Sequence, residues 1–395
     1  MYLASPSHRA AISLRSCTLG GIALVAVGMA AATSALATDA AAGLGWTPRY
    51  VTLPVSKFQA QSIAAQAAAS ATIPYWTTSI VSPLDHRTYS YSMVGGSPYA
   101  ATKTNTNVQY VPIVARVHFG TTVLDPTLGS TCDGTPVASR FFNSPLFQPA
   151  VFISNGVNVS TGVSFGTQLA SAFQRANYWS AVKGTGYGVT LTPTALKPIV
   201  VDITAPAGSP LVTVKASCGK SGKIGEFNIN AYDTAIQSII NKYSTPTQLP
   251  IVLTYNVVQT DSGGCCILGY HNAVSSATGV RTYAVGSVID GGVFSKVDDT
   301  TVWSHEITEW LDDPFVNNAT PAWGHIGQVS GCQSNLETGD PLSGTETSIV
   351  GVGGYIYHYQ DLAFYDWFYR TPSASTGGKY SFTGNFSSVQ ATVCH

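Results

Sequence analysis

The stretch Val302–Pro314, VWSHEITEWLDDP, combines one histidine and two glutamates in a segment with helical spacing. His305 and Glu309 stand four residues apart, so a helix places them on one face, about 6 Å apart at Cβ. Glu306 points about 100° further round the helix and can reach beside an ion without binding it. Pro314 is expected to end the helix. The stretch therefore predicts a metal-site helix with His305 and Glu309 as ligands.

A solvated helix face is the alternative interpretation, because most charged side chains on a helix are exposed. Glutamate is scarce in this chain of 395 residues, however, and two of its five glutamates fall within this one helix. The five glutamates are Glu226, Glu306, Glu309, Glu337 and Glu346. This scarcity favours a site over a solvated face.

A second acidic motif follows in Gly331–Pro341, GCQSNLETGDP. Together the two motifs resemble the gluzincin branch of zinc peptidases. The resemblance implies His305, Glu309 and Glu337 as metal ligands, Glu306 as general base, and Asp340 as the residue that orients His305. The chain departs from that family at Glu309, where the family has histidine. The ligand set is then harder and more anionic, so zinc is the expected ion but its identity stays open.

The order of motifs also resembles that of the phosphate-induced, EXORDIUM-like secreted proteins. Cys265–His271, CCILGYH, and the later HEITEWLDDP are similar to the cysteine, G-x-H and H-E-x-x-E-x-x-x-x-P elements of that family. The similarity covers roughly Ile229–Asp340. It implies an extracellular protein with a zincin-like fold and a signalling or wall-associated role, without implying catalysis.

Hydrophobic periodicity predicts a mixture of helices and strands, and no repeat of 20 to 50 residues is found. Predicted strands are Val108–Gly120, Lys197–Ile203, Leu249–Gln259 and Val280–Asp290, and predicted helices are Gly166–Trp179 and Ile229–Tyr243. Tyr355–Arg370 is predicted as an aromatic strand that leads into a helix. The irregular alternation favours an α+β fold. Combined with the resemblances, it predicts a zincin-like mixed β-sheet over the metal-site helix, stabilised by disulfides.

The N-terminus has the features of a secretory signal peptide over residues 1–37. Arg9 and Arg15 precede an apolar run, Leu19–Ala32, and Ser34–Ala37 provides a small-residue cleavage site. An uncleaved anchor is the alternative, although the run is short for a membrane span. We therefore predict a protein that is secreted, extracellular or periplasmic. Residues 38–105 are predicted as an Ala- and Ser-rich arm or pro-segment with a short helix at Gln59–Ala71, and residues 106–395 as the zincin-like domain.

Cysteine usage agrees with export, because six cysteines remain after the predicted signal peptide. The disulfide candidates are Cys132, Cys218, Cys265, Cys266, Cys332 and Cys394. Six cysteines allow fifteen pairings. We expect the adjacent pair to bond to two different partners, because a bond between neighbours strains the peptide, and Cys394 to tether the C-terminus. A thiolate metal site is the alternative, but no C-x-x-C spacing supports it.

Further polar residues are candidates with simpler explanations. His325 is a candidate ligand or oxyanion donor, or else a surface histidine. Tyr357 or His358 is a candidate for lining a cleft and steadying an oxyanion, or else part of the ordinary core. His271, beside the cysteine pair, is interpreted as structural.

Two functions remain open from the sequence. The favoured one is a secreted zinc metallopeptidase-like hydrolase that uses a metal-activated water with Glu306 as general base. The alternative is a non-catalytic extracellular binding or signalling protein on a zincin-like scaffold. A peptide or protein substrate is the expected partner, and the aromatic, charge-poor composition also suits glycan contact. The chain has 10% charged residues and a net charge of −1, so nucleic acid is not an expected partner. No stable membrane span is expected after signal cleavage.

Overall fold

The computed structural model describes residues 41–51, 57–160, 166–391 and 394, which belong to one compact unit, Thr38–His395. The predicted signal peptide, residues 1–37, lies outside the described residues. The described part mixes helices and strands, with sheet predominating, so the predicted α+β class is confirmed. Among these residues, no helix has the length and apolar character needed to cross a membrane.

Seven α-helices occur in the described ranges. They are α1 (Lys57–Ala69), α2 (Val137–Phe142), α3 (Leu169–Asn177), α4 (Trp179–Val182), α5 (Ile229–Tyr243), α6 (Thr301–Asp312) and α7 (Tyr365–Tyr369). The predicted helices at Gln59–Ala71, Gly166–Trp179 and Ile229–Tyr243 correspond to α1, α3 and α5. The predicted metal-site helix corresponds to α6, and it ends two residues before Pro314 as expected.

The strands are mostly short. They are β1 (Arg49–Tyr50), β2 (Tyr75–Val81), β3 (Thr88–Val94), β4 (Asn105–Phe119), β5 (Thr122–Leu124), β6 (Ile153–Ser154), β7 (Val157–Asn158), β8 (Gly188–Pro193), β9 (Ile199–Thr204), β10 (Leu211–Lys215), β11 (Ser221–Asn228), β12 (Gln248–Tyr255), β13 (Val257–Asp261), β14 (Gly264–Ser276), β15 (Gly279–Val288), β16 (Ala319–Ile326), β17 (Val329–Asn335), β18 (Glu346–Val350) and β19 (Ile356–Gln360).

One prediction about the strands needs correction. The segment Leu249–Gln259, predicted as a single strand, is divided between β12 and β13 at Asn256. Asn256 has a left-handed φ of 54°, a conformation that interrupts an extended strand and that asparagine tolerates better than most residues. The two halves then pair with different neighbours, β12 with β4 and β15, and β13 with β11 and β14.

The main sheet has eleven strands and mixed direction. Its central order is β10-β11-β13-β14-β15-β12-β4-β5, with β1 beside β14 and with β8 and β9 beside β4. The pairs β4–β12 and β12–β15 are parallel, whereas β13–β14 and β14–β15 are antiparallel. Four smaller two-stranded sheets, β2–β3, β6–β7, β16–β17 and β18–β19, complete the described strands.

Helices pack against both faces of the main sheet. On one face, α5 buries Tyr232, Ile236 and Ile240 against the side chains of the central strands. On the other face, α6 packs against β14 and β15. Trp303 and Trp310 of α6 are fully buried in the larger core on that side. The metal-site helix predicted from the sequence thus lies flat against the sheet.

A pair of glycines lets α6 approach the sheet closely. Gly269 of β14 and Gly286 of β15 face each other in register. A Cβ on Gly286 would lie 3.0 Å from Trp303, and one on Gly269 would lie 2.8 Å from Glu306 Cγ. Larger residues here would push the helix away, so these glycines set the distance between α6 and β14.

All six candidate cysteines form disulfides. The pairs are Cys132–Cys218, Cys265–Cys266 and Cys332–Cys394. Cys394 tethers the C-terminal end as predicted. The expectation that the adjacent cysteines bond to separate partners is wrong, because a cis peptide brings their Cα atoms to 3.0 Å and the two bond to each other.

Part of the predicted N-terminal arm packs into the compact unit. The hairpin β2–β3 carries Trp76 and Tyr91, whose rings make an edge contact at 5.8 Å. Tyr91 also lies against Tyr365 and Tyr369 of α7, with ring centroids 5.9 and 5.5 Å away. This aromatic cluster joins the hairpin to the C-terminal part of the chain.

Candidate metal centre

The helix α6 is buried on every side, and all 12 of its residues are buried. His305 and Glu306 have no exposed surface, and Glu309 is 3% exposed. The solvated-face interpretation is therefore wrong, since that interpretation requires these charges to reach water. A buried imidazole and two buried carboxylates need partners in the protein or a bound cation.

His305 faces two carboxylates through one ring nitrogen. Its Nε2 lies 3.0 Å from Glu309 Oε1 and 3.5 Å from Asp340 Oδ1. Its other nitrogen, Nδ1, lies 3.2 Å from Gln360 Oε1. Gln360 donates through its Nε2 to the carbonyl of Gly339, so its Oε1 is the acceptor and Nδ1 of His305 carries a proton. This hydrogen bond aims Nε2 at the carboxylates, as in metal-ligating histidines.

Asp340 is positioned by two glutamines. It follows β17 and begins a short 3-10 helix, Asp340–Leu342. Gln328 donates to its Oδ1, and Gln333 donates to its Oδ2 at 3.0 Å. These neutral donors orient the carboxylate without adding a positive charge beside it.

A second group forms on the sheet side of α6. His271 projects from β14, and its Nδ1 lies 3.5 Å from Glu306 Oε2 and 3.7 Å from Glu309 Oε2. His271 and Glu306 are both fully buried. Glu309 thus belongs to both groups, with one carboxylate oxygen directed at each histidine.

The ligand atoms fit a small divalent cation. In each group the three candidate atoms lie within 4.8 Å of one another. Ligands about 2.1 Å from a tetrahedral zinc ion are about 3.4 Å apart, close to the 3.0 and 3.5 Å separations around His305. In the described part of the chain, both nitrogens of His271, both oxygens of Glu306 and Nε2 of His305 lack a hydrogen-bond partner. Such buried groups can be satisfied by an ion.

Mutual electrostatics shift the pKa values of this cluster. Burial lowers the pKa of His305, but Glu309 and Asp340 outweigh that effect and raise it well above its usual value. Burial raises the pKa of Glu309, but His305 and His271 outweigh that effect and lower it. For Glu306, burial dominates and the pKa is raised, although the two histidines oppose the shift. The cluster therefore holds an ionised Glu309 between two imidazoles.

A glycine makes room for His305. A Cβ on Gly339 would lie 2.3 Å from His305 Nδ1. The backbone N–H of Gly339 donates to Glu309 Oε1 at 3.0 Å.

We expect Gly339→Ala to displace the His305 imidazole, to destabilise the fold by about 1–3 kcal/mol, and to weaken cation binding. Thermal unfolding and metal content would measure both effects. Gly331→Ala is the matched control, since nothing lies within 4 Å of its Cβ position; equal behaviour of the two variants would contradict the prediction.

The structure places Glu337 beside the ligand groups but in neither of them. Its Oε1 accepts a hydrogen bond from Asn335 at 2.6 Å. Burial, followed by the charges of Glu309 and Asp340, raises its pKa well above the usual value. Asp340, predicted to orient His305, instead lies 3.5 Å from Nε2, the ring nitrogen that also faces Glu309, and Gln360 makes the contact with Nδ1.

Neither of the other two catalytic candidates joins the cluster. His325 is exposed on β16, with Nε2 3.6 Å from Cys332 Sγ. Cys332 and Cys394 also come close to His325, but their disulfide removes both thiolates as ligands. Tyr357 on β19 is buried, and its hydroxyl donates to the carbonyl of Arg140 at 3.1 Å.

His358 lines a separate cavity of about 390 Å³ and pairs with Asp299 at 2.8 Å. The hydrogen bond that the His358 ring donates to Asp299 outweighs burial and raises the pKa of His358 to about 9. The folded-state pKa of His358 exceeds its unfolded-state pKa of about 6.5. The His358–Asp299 pair therefore stabilises the fold fully below about pH 6.5 and loses this contribution as the pH rises through 9.

We expect His358→Gln to lower the thermal midpoint at pH 6 and not at pH 10. A midpoint difference that is the same at both pH values would contradict this.

Several residues of the site were missed or misread in the sequence. His271 was interpreted as structural, yet it faces Glu306 and Glu309. His271 and Gly269 are two residues apart on β14 and therefore share one face of the strand, but only the structure shows that α6 covers that face. Gln328 and Gln360 carry no comparable signal, since glutamines are common on surfaces.

Comparisons of the chain with family models, with curated proteins and with solved structures find no match. The site is therefore interpreted from its own chemistry.

Proposed function

We propose that this protein is a secreted, metal-dependent hydrolase of the zincin-like kind that cleaves peptide bonds. The observation that carries the proposal is the convergence of His305 Nε2, Glu309 Oε1 and Asp340 Oδ1, with the buried Glu306 following His305 on the same helix. The H-E-x-x-E helix and its downstream acidic motif support the same assignment. Asp340 takes the place of third ligand in this proposal, because Glu337 belongs to neither ligand group.

Zinc is the ion that we propose. Zinc binds imidazole and carboxylate ligands and commonly leaves one position open in catalytic sites. A set with one imidazole and two carboxylates also accepts harder divalent ions, so manganese and cobalt belong in any reconstitution.

Glu306 is the proposed general base. His305, Glu309 and Asp340 would hold a divalent cation, which would supply polarisation of a substrate carbonyl and a lowered pKa of a water molecule. Glu306 accepts the proton of the attacking water and returns it to the amine that leaves when the C–N bond breaks. Its raised pKa, caused mainly by burial, suits a group that must both take and release a proton near neutral pH. The Nδ1 of His271 lies 3.5 Å from Glu306 Oε2.

Export is part of the proposal. The signal-like segment over residues 1–37 and the three disulfides support a protein that folds in an oxidising compartment.

The test is hydrolysis of a broad peptide library by the purified protein, with and without a chelator. We expect cleavage that chelation abolishes and zinc restores. Cleavage that is indifferent to chelation, or a protein that holds no divalent ion, would contradict the proposal.

A non-catalytic binding or signalling role is the second candidate, and one observation favours it. The aromatic ring of Tyr50 lies over His305, with ring centroids 3.9 Å apart, and thereby covers the site. A metal-loaded protein that cleaves nothing in the library would support this role.

A further inference from the structure

The chain's own N-terminal residues lie over the proposed site. We call Ala41–Val51 the N-terminal strap. The ring of Tyr50, in this strap, stacks on the imidazole of His305 with an interplanar angle of 16°. Tyr50 is 5% exposed, so the stacked pair is closed to solvent. A segment more than 250 residues away in sequence thus caps the first ligand of the proposed centre.

The strap lies extended beside the sheet. Arg49 and Tyr50 pair in parallel with Ile267 and Gly269 of β14. The Thr47 carbonyl accepts a hydrogen bond from the backbone N–H of Cys266 at 2.8 Å. The strap therefore occupies the position of an added strand, a recurring mode of peptide recognition.

Gln328, between β16 and β17, holds the strap's backbone from the other side. Its Oε1 accepts from the N–H of Tyr50 at 2.7 Å, and its Nε2 donates to the carbonyl of Tyr50 at 2.8 Å. The same Nε2 donates to Asp340. The Gln328 side chain thus satisfies both the N–H and the carbonyl of Tyr50. These two hydrogen bonds would form with any residue in an extended conformation at this position, whatever its side chain. Stacking on His305 then selects an aromatic side chain at this position.

The strap has further anchors at both ends: Ala41 is buried and donates its N–H to the Val293 carbonyl at 2.9 Å, and Trp46 stacks on Phe294 with ring centroids 6.2 Å apart. Arg49 pairs with Asp261 at 2.8 Å, and their side chains are 27% and 32% exposed. Such a pair contributes little to stability. A cavity of about 340 Å³ runs along the strap between Val51 and the β16–β17 turn and reaches Asp340. The cavity is therefore lined jointly by the strap, by the β16–β17 turn and by Asp340.

We propose that the groove between β14 and the β16–β17 turn is a binding site for an extended peptide with an aromatic side chain, and that Arg49–Val51 fill it in the isolated protein. Displacement of the strap uncovers His305 and places the incoming peptide beside the site. This inference rests on the proposed function only for what happens to the bound peptide, since recognition uses Gln328, the β14 edge and the imidazole face.

The test uses a fluorescent peptide with the strap sequence, acetyl-Thr-Pro-Arg-Tyr-Val-amide, titrated into the wild type and into Tyr50→Ala. We expect Tyr50→Ala to bind the peptide about tenfold more tightly than the wild type, because its own strap competes less well. Replacing the peptide's tyrosine by alanine should remove that gain. Tyr50→Phe keeps the ring, and Leu44→Ala changes an exposed strap residue, so both should behave like the wild type.

Equal affinity of the wild type and Tyr50→Ala, or equal binding of the alanine peptide, would overturn the inference. If Tyr50→Ala does not fold, Arg49→Ala serves instead, with a smaller gain of about threefold expected from loss of the Asp261 pair. Metal content is measured on the same samples. If the peptide binds as expected but the protein contains no divalent ion, the proposed hydrolase function is rejected and the peptide-binding groove is supported. If the protein contains the ion and hydrolyses peptides but Tyr50→Ala does not change peptide affinity, the groove is rejected and the hydrolase function is supported.

Discussion

We expect Glu309→Gln to lose its stoichiometric divalent cation. Glu309 directs Oε1 at His305 and Oε2 at His271, so it is the one carboxylate that both ligand groups share. An amide of the same shape retains the volume but removes the anionic ligand, and the affinity for zinc should fall about a hundredfold or more. Metal content after dialysis and competition titration with a zinc indicator would measure the loss.

Stability provides an independent readout of the same variant. A ligand that binds only the folded state raises its thermal midpoint, so chelation should lower the midpoint of the wild type. Chelation should leave the midpoint of Glu309→Gln unchanged. Glu226→Gln is the matched control, because Glu226 lies on β11 and belongs to neither group. Full zinc occupancy in Glu309→Gln would exclude Glu309 as a ligand.

The second large effect is expected for Glu306→Gln, which should keep the cation and lose peptide hydrolysis. The amide cannot take a proton from the attacking water, and loss of a general base typically lowers kcat by about a thousandfold. The neighbouring His305, Glu309 and Asp340 are unchanged, so the group proposed to hold the cation stays complete. Single-turnover hydrolysis of a library-derived peptide, with metal content determined on the same sample, separates the two properties.

Two outcomes would count against this role for Glu306. Retained hydrolysis in Glu306→Gln would remove it as the base. Loss of the cation together with activity would instead make Glu306 a ligand of the His271 group, whose atoms also lie within 4.8 Å of one another.

Local patterns were sufficient to predict much of the fold. The apolar spacing of Ile229–Tyr243 gave the bounds of α5, and Pro314 marked the end of α6. The scarcity of glutamate pointed to His305, Glu306 and Glu309 before their burial was known. These features depend on residues within one or two turns of each other, which is the range over which sequence patterns are informative.

The features that were not predictable depend on distant parts of the chain. Whether Asp340 or Glu337 reaches His305 is decided by the turn after β17 and by the two glutamines that hold Asp340. The role of His271 depends on the register of β14 and β15, because the paired glycines bring α6 down onto the sheet. Tyr50 covers His305 through tertiary contacts alone, and no local sequence pattern predicts this contact.

The most direct measurement is anomalous diffraction at the zinc absorption edge from crystals of the purified protein. We expect an anomalous peak about 2.1 Å from His305 Nε2, with Glu309 Oε1 and Asp340 Oδ1 completing its protein ligands. A zinc-supplemented crystal with no peak between these three atoms, or with its peak at another site, would contradict this expectation.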